Sequence, residues 1–191
     1  LVEQGRLREQ ELKELFTSAA YPTRNFHHNL GDLKAQIAAN EKGAQELRNM
    51  VDHFGIDVVL AYMKHVQDNA EEMVRQVIQN LINGEFEYVM DFGAKVKVAI
   101  TVHPESRSAT VDFTGTSPQQ KNNFNITHAV AVAAVLYTFR LMVDSDIPLN
   151  AGCLKPLDII VPENSMLRPR YPAAVVAGNV ETSQAITDTI F

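Results

Sequence analysis

The chain has 191 residues, 46% of them hydrophobic, and a net charge of −6 from 17 basic and 23 acidic side chains. That is apolar material enough for a globular core, while the acidic balance supplies no basic stripe to neutralise phosphates and so argues against nucleic acid as a partner. No run approaches the roughly 20 apolar residues that span a bilayer, the opening residues are not expected to act as a basic start with an apolar signal segment, and the lone Cys153 cannot close an internal disulfide, so a reducing, cytoplasmic setting is expected.

The first residue is Leu1, and the opening "LVEQGRLREQELKELF" is polar, helix-compatible sequence without a start signal. Both ends read as cut, and the expectation is a piece of something longer. Arg6 to Ala20 is expected as a helix carrying Leu7, Leu12, Leu15 and Phe16, broken at Pro22. From Asn29 to Gly55, residues Leu33, Ile37, Asn40, Ala44, Leu47, Val51 and Phe54 recur at steps of four and three. That is one stripe on a long helix. Gly55 suits the left-handed position after a helix end, and Asp57 suits the cap of the next. The stripe resumes through Val59, Met63, Val66, Ala70, Met73, Val77 and Leu81, then stops at Asn83 and Gly84. Two long helices with so short a turn are expected to lie antiparallel, seam to seam, with Asn40 setting the register.

After Gly84 the period changes from about 3.6 to 2. In "KVKVAITV" the residues Val96, Val98, Ile100 and Val102 alternate with Lys95, Lys97, Ala99 and Thr101, and "ATVDFTG" reads as the returning strand. The pair is an antiparallel hairpin, with Phe86, Tyr88 and Met90 on a third strand before it. "GTSPQQKNNFN" reads as a loop, and "HAVAVAAVLYTFRLMV" from His128 as a buried helix against the sheet. From Asp144 onward prolines and short apolar runs indicate extended, turn-rich chain, with Val175, Val176 and Ala177 as a short buried strand. The expected fold class is therefore α+β: an antiparallel long-helix hairpin over residues 1–84, then a mixed section over residues 85–191 with an antiparallel sheet packed on a buried helix.

Few side-chain patterns suggest chemistry on their own. His27 and His28 are adjacent and lack the i, i+4 spacing of helical ligand pairs. His65 and Asp68 share a helix face in the manner of a solvated surface contact. Gly115, Thr116 and Ser117 do not form a phosphate-binding G-x-x-x-x-G-K-[ST] motif. Asp144 and Asp146 read as an acidic turn, and Cys153 has no neighbour that would activate a thiol. No metal site is expected within these residues.

The strings "GDLKAQIAANEKGAQEL", "VDFTGTSPQ" and "DIPLNAGCLKPLDIIVPENSMLRPRYPAAVVAGNVETSQ" together resemble the later portion of the B component of the hydantoinase and 5-oxoprolinase family, from about Gly31 to Phe191. The resemblance implies an ATP-dependent enzyme that opens a cyclic amide, with a companion A-type subunit or domain handling nucleotide and activating the carbonyl by phosphorylation. ATP and a divalent metal are implied for the full complex and not for this chain. The metal-binding segments of the carboxylase relatives, of the "NDPY", "GGTHL" and "HHAD" kind, do not occur here, so the metal role is not carried onto His27 or His28. The chain is expected to be a scaffold and interface portion of a cyclic-amide hydrolase, inactive alone and able to self-associate through its apolar seam. A metal-dependent ketone carboxylase portion and a non-catalytic helical interaction module are the alternatives.

The segment "GNVETSQ" carries the candidate substrate-lining residues Asn179, Glu181, Thr182 and Gln184. Asn179 is expected to cap the following helix, and Glu181 sits in its first turn, where negative charge is favoured. Their amide, carboxyl and hydroxyl groups are the kinds that hold a cyclic amide. The residues leave hydantoin, 5-oxoproline and ketone open as substrates.

Overall fold

A computed structural model describes all 191 residues. The chain divides into two compact units, Leu1–Ala61 and Tyr62–Phe191, and the division falls inside a helix rather than at Gly84.

The first unit opens with a hairpin that the spacing of apolar residues does not predict, β1 (Val2–Glu3) against β2 (Arg6–Leu7). Gln4 and Gly5 turn it with φ of 49° and 77°, the double positive φ that two-residue hairpin loops require. Arg6 and Leu7 are thereby drawn into a strand, and helix α1 starts later than expected, at Glu9, running to Ser18. Helix α2 spans Phe26–Phe54, and the Asn25 side chain caps it by accepting from the His28 N–H. Glu9 and Lys34 pair at 3.1 Å, and the rings of Phe16 and Phe26 approach to 6.2 Å. Gly55, with φ of 83°, alone separates α2 from α3 (Ile56–Ile78), a conformation that a residue with a Cβ enters only with strain. Asp57 therefore lies in the first turn of α3 instead of ahead of it. Leu47, Phe54, Met63 and Val66, assigned to the seam from their spacing, are exposed. Periodicity identifies an apolar stripe without saying whether its cover belongs to the same chain.

The second unit holds the main core. Strands β3 (Gly84–Val89), β4 (Lys95–His103) and β5 (Ser108–Asp112) form an antiparallel meander, and β6 (Leu157–Ile160) adds parallel to β5. Val96, Val98 and Ile100 alternate inward, as the period of two requires, and bury with Ala109 and Val111. Ala70, Val74 and Ile78, one face of the second half of α3, are fully buried in the same cluster. That burial moves the unit boundary into α3. Helix α4 (His128–Leu141) contributes Ala131, Val135 and Phe139, and α5 (Glu181–Ile190) contributes Ala185, Ile186 and Ile190.

Between α4 and β6 a short 3-10 turn, Ala151–Leu154, presses against α3. A Cβ on Gly152 would overlap the Gln67 carbonyl, so only glycine allows the approach. Cys153 is buried beside it. Ion pairs fasten the remaining edges: Lys155 reaches Asp68 and Glu71, both at 3.2 Å, and Arg107 grips Glu72 with two bonds of 2.7 and 2.9 Å. The expected strand at Val175–Ala177 is not formed. Ala177–Asn179 is a 3-10 turn whose Ala177 and Gly178 N–H groups both donate to the Asn123 carbonyl, so the backbone bonds a loop instead of a sheet.

Candidate functional site

Three chain segments within the second unit enclose a cleft of about 350 Å³. The first is the turn between β3 and β4. Met90 and Ala94 close it with a 2.7 Å backbone bond and Gly93 adopts φ of 86°, which pushes Asp91 and Phe92 outward. The second is α5. Thr182, Ala185, Ile186 and Thr189 turn into the core, and the opposite face carries Glu181, Gln184 and Asp188, whose spacing of three and four aligns them. The third is the loop before α4, which contributes Phe124. The rings of Phe92 and Phe124 lie 4.7 Å apart, tilted by 34°, and with Tyr88 and Met90 they form the apolar side of the cleft.

The loop is held by a buried amide. Asn125 is fully enclosed, accepts from the Gln120 N–H at 2.7 Å, and donates to the carbonyls of Gln120, Asn122 and Ala174 at 3.0, 3.1 and 3.0 Å. Every polar atom of that side chain is engaged, as burial of an amide requires. The Thr182 hydroxyl donates to the Phe124 carbonyl at 2.5 Å and ties the same loop to the first turn of α5.

Of the four residues singled out by sequence, the structure brings Glu181 and Gln184 to the cleft. Thr182 is buried and points into the fold, where it anchors the Phe124 wall. Asn179 is exposed and does not cap α5. Val180 is already in a right-handed helical conformation and no side chain caps the helix, while the Asn179 carbonyl accepts from the Ser183 hydroxyl at 2.7 Å. Tyr88, Asp91, Phe92, Phe124 and Asp188 were not anticipated. Their separation in sequence hides them, because only the packing of α5 beside β3 and β4 gathers them.

The polar lining is unusual in its balance. Asp91, Glu181 and Asp188 line the cleft with no lysine or arginine among the lining residues. Gln184 donates through Nε2 to Asp188 at 2.7 Å, which fixes its amide plane. Groups whose acidity is shifted belong to other clusters. Hydrogen bonds from Lys64 and then Lys155 hold the Asp68 carboxyl below its usual range, and Arg75 followed by Lys155 does so for Glu71 despite the opposing effect of burial. Asp68 and Glu71 in turn raise the Lys155 ammonium, Asp68 most.

The remaining sequence candidates are dispersed. His65 stacks edge-on to Tyr62 while Asp68 turns to lysines, and Thr116 and Ser117 spend their hydroxyls on the backbone of β4 at Lys97 and Lys95. Nowhere do three His, Cys, Asp or Glu side chains gather in a manner that could hold a metal ion. The residues of this chain therefore do not fit the divalent metal that the resemblance implies for the full complex. No helix is long and apolar enough to cross a membrane.

Comparison with known proteins places this architecture. The family model described as hydantoinase B/oxoprolinase matches residues 1–191. A 5-oxoprolinase of Dictyostelium discoideum is 39% identical over 202 residues, and 5-oxoprolinase 1 of Arabidopsis thaliana is 40% identical over 214. Both alignments cover the whole chain, which spans 15% and 17% of those relatives. The crystal structure of an ATP-dependent caprolactamase from Pseudomonas jessenii shares the fold, with a TM-score of 0.75 at 20% identity over 98% of the chain and 33% of the enzyme. The chain belongs to the hydantoinase B/oxoprolinase family.

Proposed function

We propose that this chain serves as the scaffold and interface portion of the B-type region of an ATP-dependent cyclic-amide hydrolase, and that Glu181 and Gln184 line the wall against which the ring is held. The observation that carries the reading is a family match along all 191 residues, joined to a cleft in which the two side chains meet an aromatic wall. Opening an amide requires electrophilic activation of the carbonyl, a positioned water and a base. The cleft offers acidic groups and an amide but no cation to polarise a carbonyl, so nucleotide chemistry and activation are assigned to an A-type component outside these residues. On its own the chain is inactive.

Within that role each element has a physical task. Phe92, Phe124 and Tyr88 give an apolar aromatic wall against which a ring can pack and from which water is displaced. Gln184, fixed by Asp188, presents an amide in one orientation, and Glu181 offers a hydrogen-bond acceptor at the start of α5. The test is Glu181→Gln in the whole enzyme. Reduced ATP-coupled ring opening is expected, and unchanged steady-state kinetics would remove Glu181 from the site.

A further inference from the structure

We infer that the outer edge of β3 is a docking site for one more strand, supplied by the same polypeptide from outside these 191 residues and carrying basic side chains in alternation with apolar ones. This edge holds that role whether or not the cleft beside α5 binds a ring.

The ladder fixes which groups face outward. β3 ends the sheet order β3-β4-β5-β6 and pairs antiparallel with β4 along its 6 residues without a bulge. The Met90 N–H donates to the Ala94 carbonyl at 2.7 Å, so antiparallel alternation makes Tyr88–Val96, Phe86–Val98 and Gly84–Ile100 the bonded pairs. β4 shows the same parity, because the Lys95 and Lys97 N–H groups turn away from β3 and donate to the Ser117 and Thr116 hydroxyls. The main-chain N–H and C=O groups of Glu85, Glu87 and Val89 therefore point away from β4, and all three residues are exposed. Such a row of outward donors and acceptors is a template for strand addition. No proline, lysine or bulge guards it in "GEFEYV".

Charge selects the occupant. On one face of the sheet Glu85 and Glu87 stand against Lys97 and Lys95 at 2.7 and 2.8 Å, an acidic column beside a basic one, and both glutamate side chains stay well exposed. On the other face Phe86 and Tyr88 are about half exposed at the margin of the core. A neighbouring strand completes both faces when it sets lysine or arginine against the glutamates and apolar side chains against Phe86 and Tyr88. A second copy of β3 does not. Antiparallel pairing of two such strands, whether centred on Phe86 or on Glu87, sets glutamate against glutamate, which is unfavourable. The remaining polypeptide has the length to supply the strand, since the chain spans only 15% and 17% of the two 5-oxoprolinases. Tethering to the same molecule also gives that strand a high effective concentration.

Hydrogen exchange in the whole enzyme, resolved to single residues by fragmentation mass spectrometry, is the test. Phe86 and Tyr88, whose amides bond to β4, serve as the internal reference. The amides of Glu85, Glu87 and Val89 should exchange within about tenfold of that reference, and about 100-fold or more slower than in the 191-residue chain alone. In the variant combining Glu85→Gln and Glu87→Gln, the outward amides should speed up about threefold or more while Phe86 and Tyr88 stay protected. If the substitutions also loosen β4, raised salt on the unsubstituted enzyme replaces them, and the outward amides should again speed up more than the reference. Outward amides as fast in the whole enzyme as in the chain alone would overturn the docking site. Protection untouched by both the glutamines and salt would overturn the basic partner. Protection that fades on dilution would overturn the same-polypeptide source in favour of a second copy or a separate subunit.

Discussion

Gly178 sits directly against the backbone of Asn125: a Cβ added at Gly178 would overlap the Asn125 carbonyl oxygen and come within 2.6 Å of Ile126 Cγ2. This contact sets the start of α5 on the loop that carries Phe124. Both neighbours are buried, so neither can give way cheaply. Gly178→Ala should cost about 1–3 kcal/mol of stability, as overpacking of a filled site does. Gly31→Ala is the control, since Gly31 lies in α2 with open space around it, and a gain of up to about 1 kcal/mol is expected there. Urea denaturation of the two variants checks both signs.

Removing the Asn125 side chain should strand the groups it joins. Asn125→Ala leaves the carbonyls of Asn122 and Ala174 and the Gln120 N–H without that side-chain partner, at a cost of about 1–3 kcal/mol for a buried group left unpaired. Because the amide holds the Phe124 loop, the variant should also broaden the NMR resonances of Phe92 and Phe124. A stability loss with both rings unchanged would show that the loop is fixed by other contacts.

The second half of α3 packs into the main core through Ala70, Val74 and Ile78, while in the first half only Val59 is buried, which gives a contrast within a single helix. Ile78 is fully buried and Leu60 is 55% exposed. Ile78→Ala should lose about 2–5 kcal/mol, the range for deleting a large aliphatic core side chain, and Leu60→Ala should stay within about 0.5 kcal/mol. Thermal denaturation of both variants is the measurement.

Asp68 and Glu71 have folded-state pKa values below their ordinary ones, through bonds from Lys64 and Lys155 to Asp68 and from Arg75 and Lys155 to Glu71. A lowered carboxyl pKa means that the unfolded chain takes up protons first as the solution is acidified. Their contribution is therefore present in full above the unfolded values near 3.8 and 4.5 and is lost as pH falls through the lower folded ones. Lys155 has the opposite sign, with a raised pKa and a contribution lost only on the alkaline side above 10.5. Lys155→Met should flatten the acid limb of the stability profile, and a profile that keeps its slope between about pH 2 and 5 would contradict the coupling.

Local pattern made much of the second unit legible. The alternation of Val96, Val98 and Ile100 and the nearly all-round apolar stretch from His128 to Val143 pointed to β4 and α4, because period and burial are properties of the segment itself. The parallel pairing of Leu157–Ile160 with β5 was not legible, since four residues state no partner. Val175 and Val176 misled for the related reason that an apolar run also suits a turn packed on a loop. At the candidate site, Glu181 and Gln184 could be found because they lie together on one segment. Asp91, Phe92 and Phe124 could not, because only tertiary packing brings the β3–β4 turn and the Asn125 loop to the same face of α5.

The scaffold role is tested most directly by assaying ring opening by the 191-residue chain alone beside the whole enzyme, with ATP, magnesium and either hydantoin or 5-oxoproline. Product is expected only from the whole enzyme and none from the chain. Cyclic-amide opening by the isolated chain above the buffer rate would contradict that role.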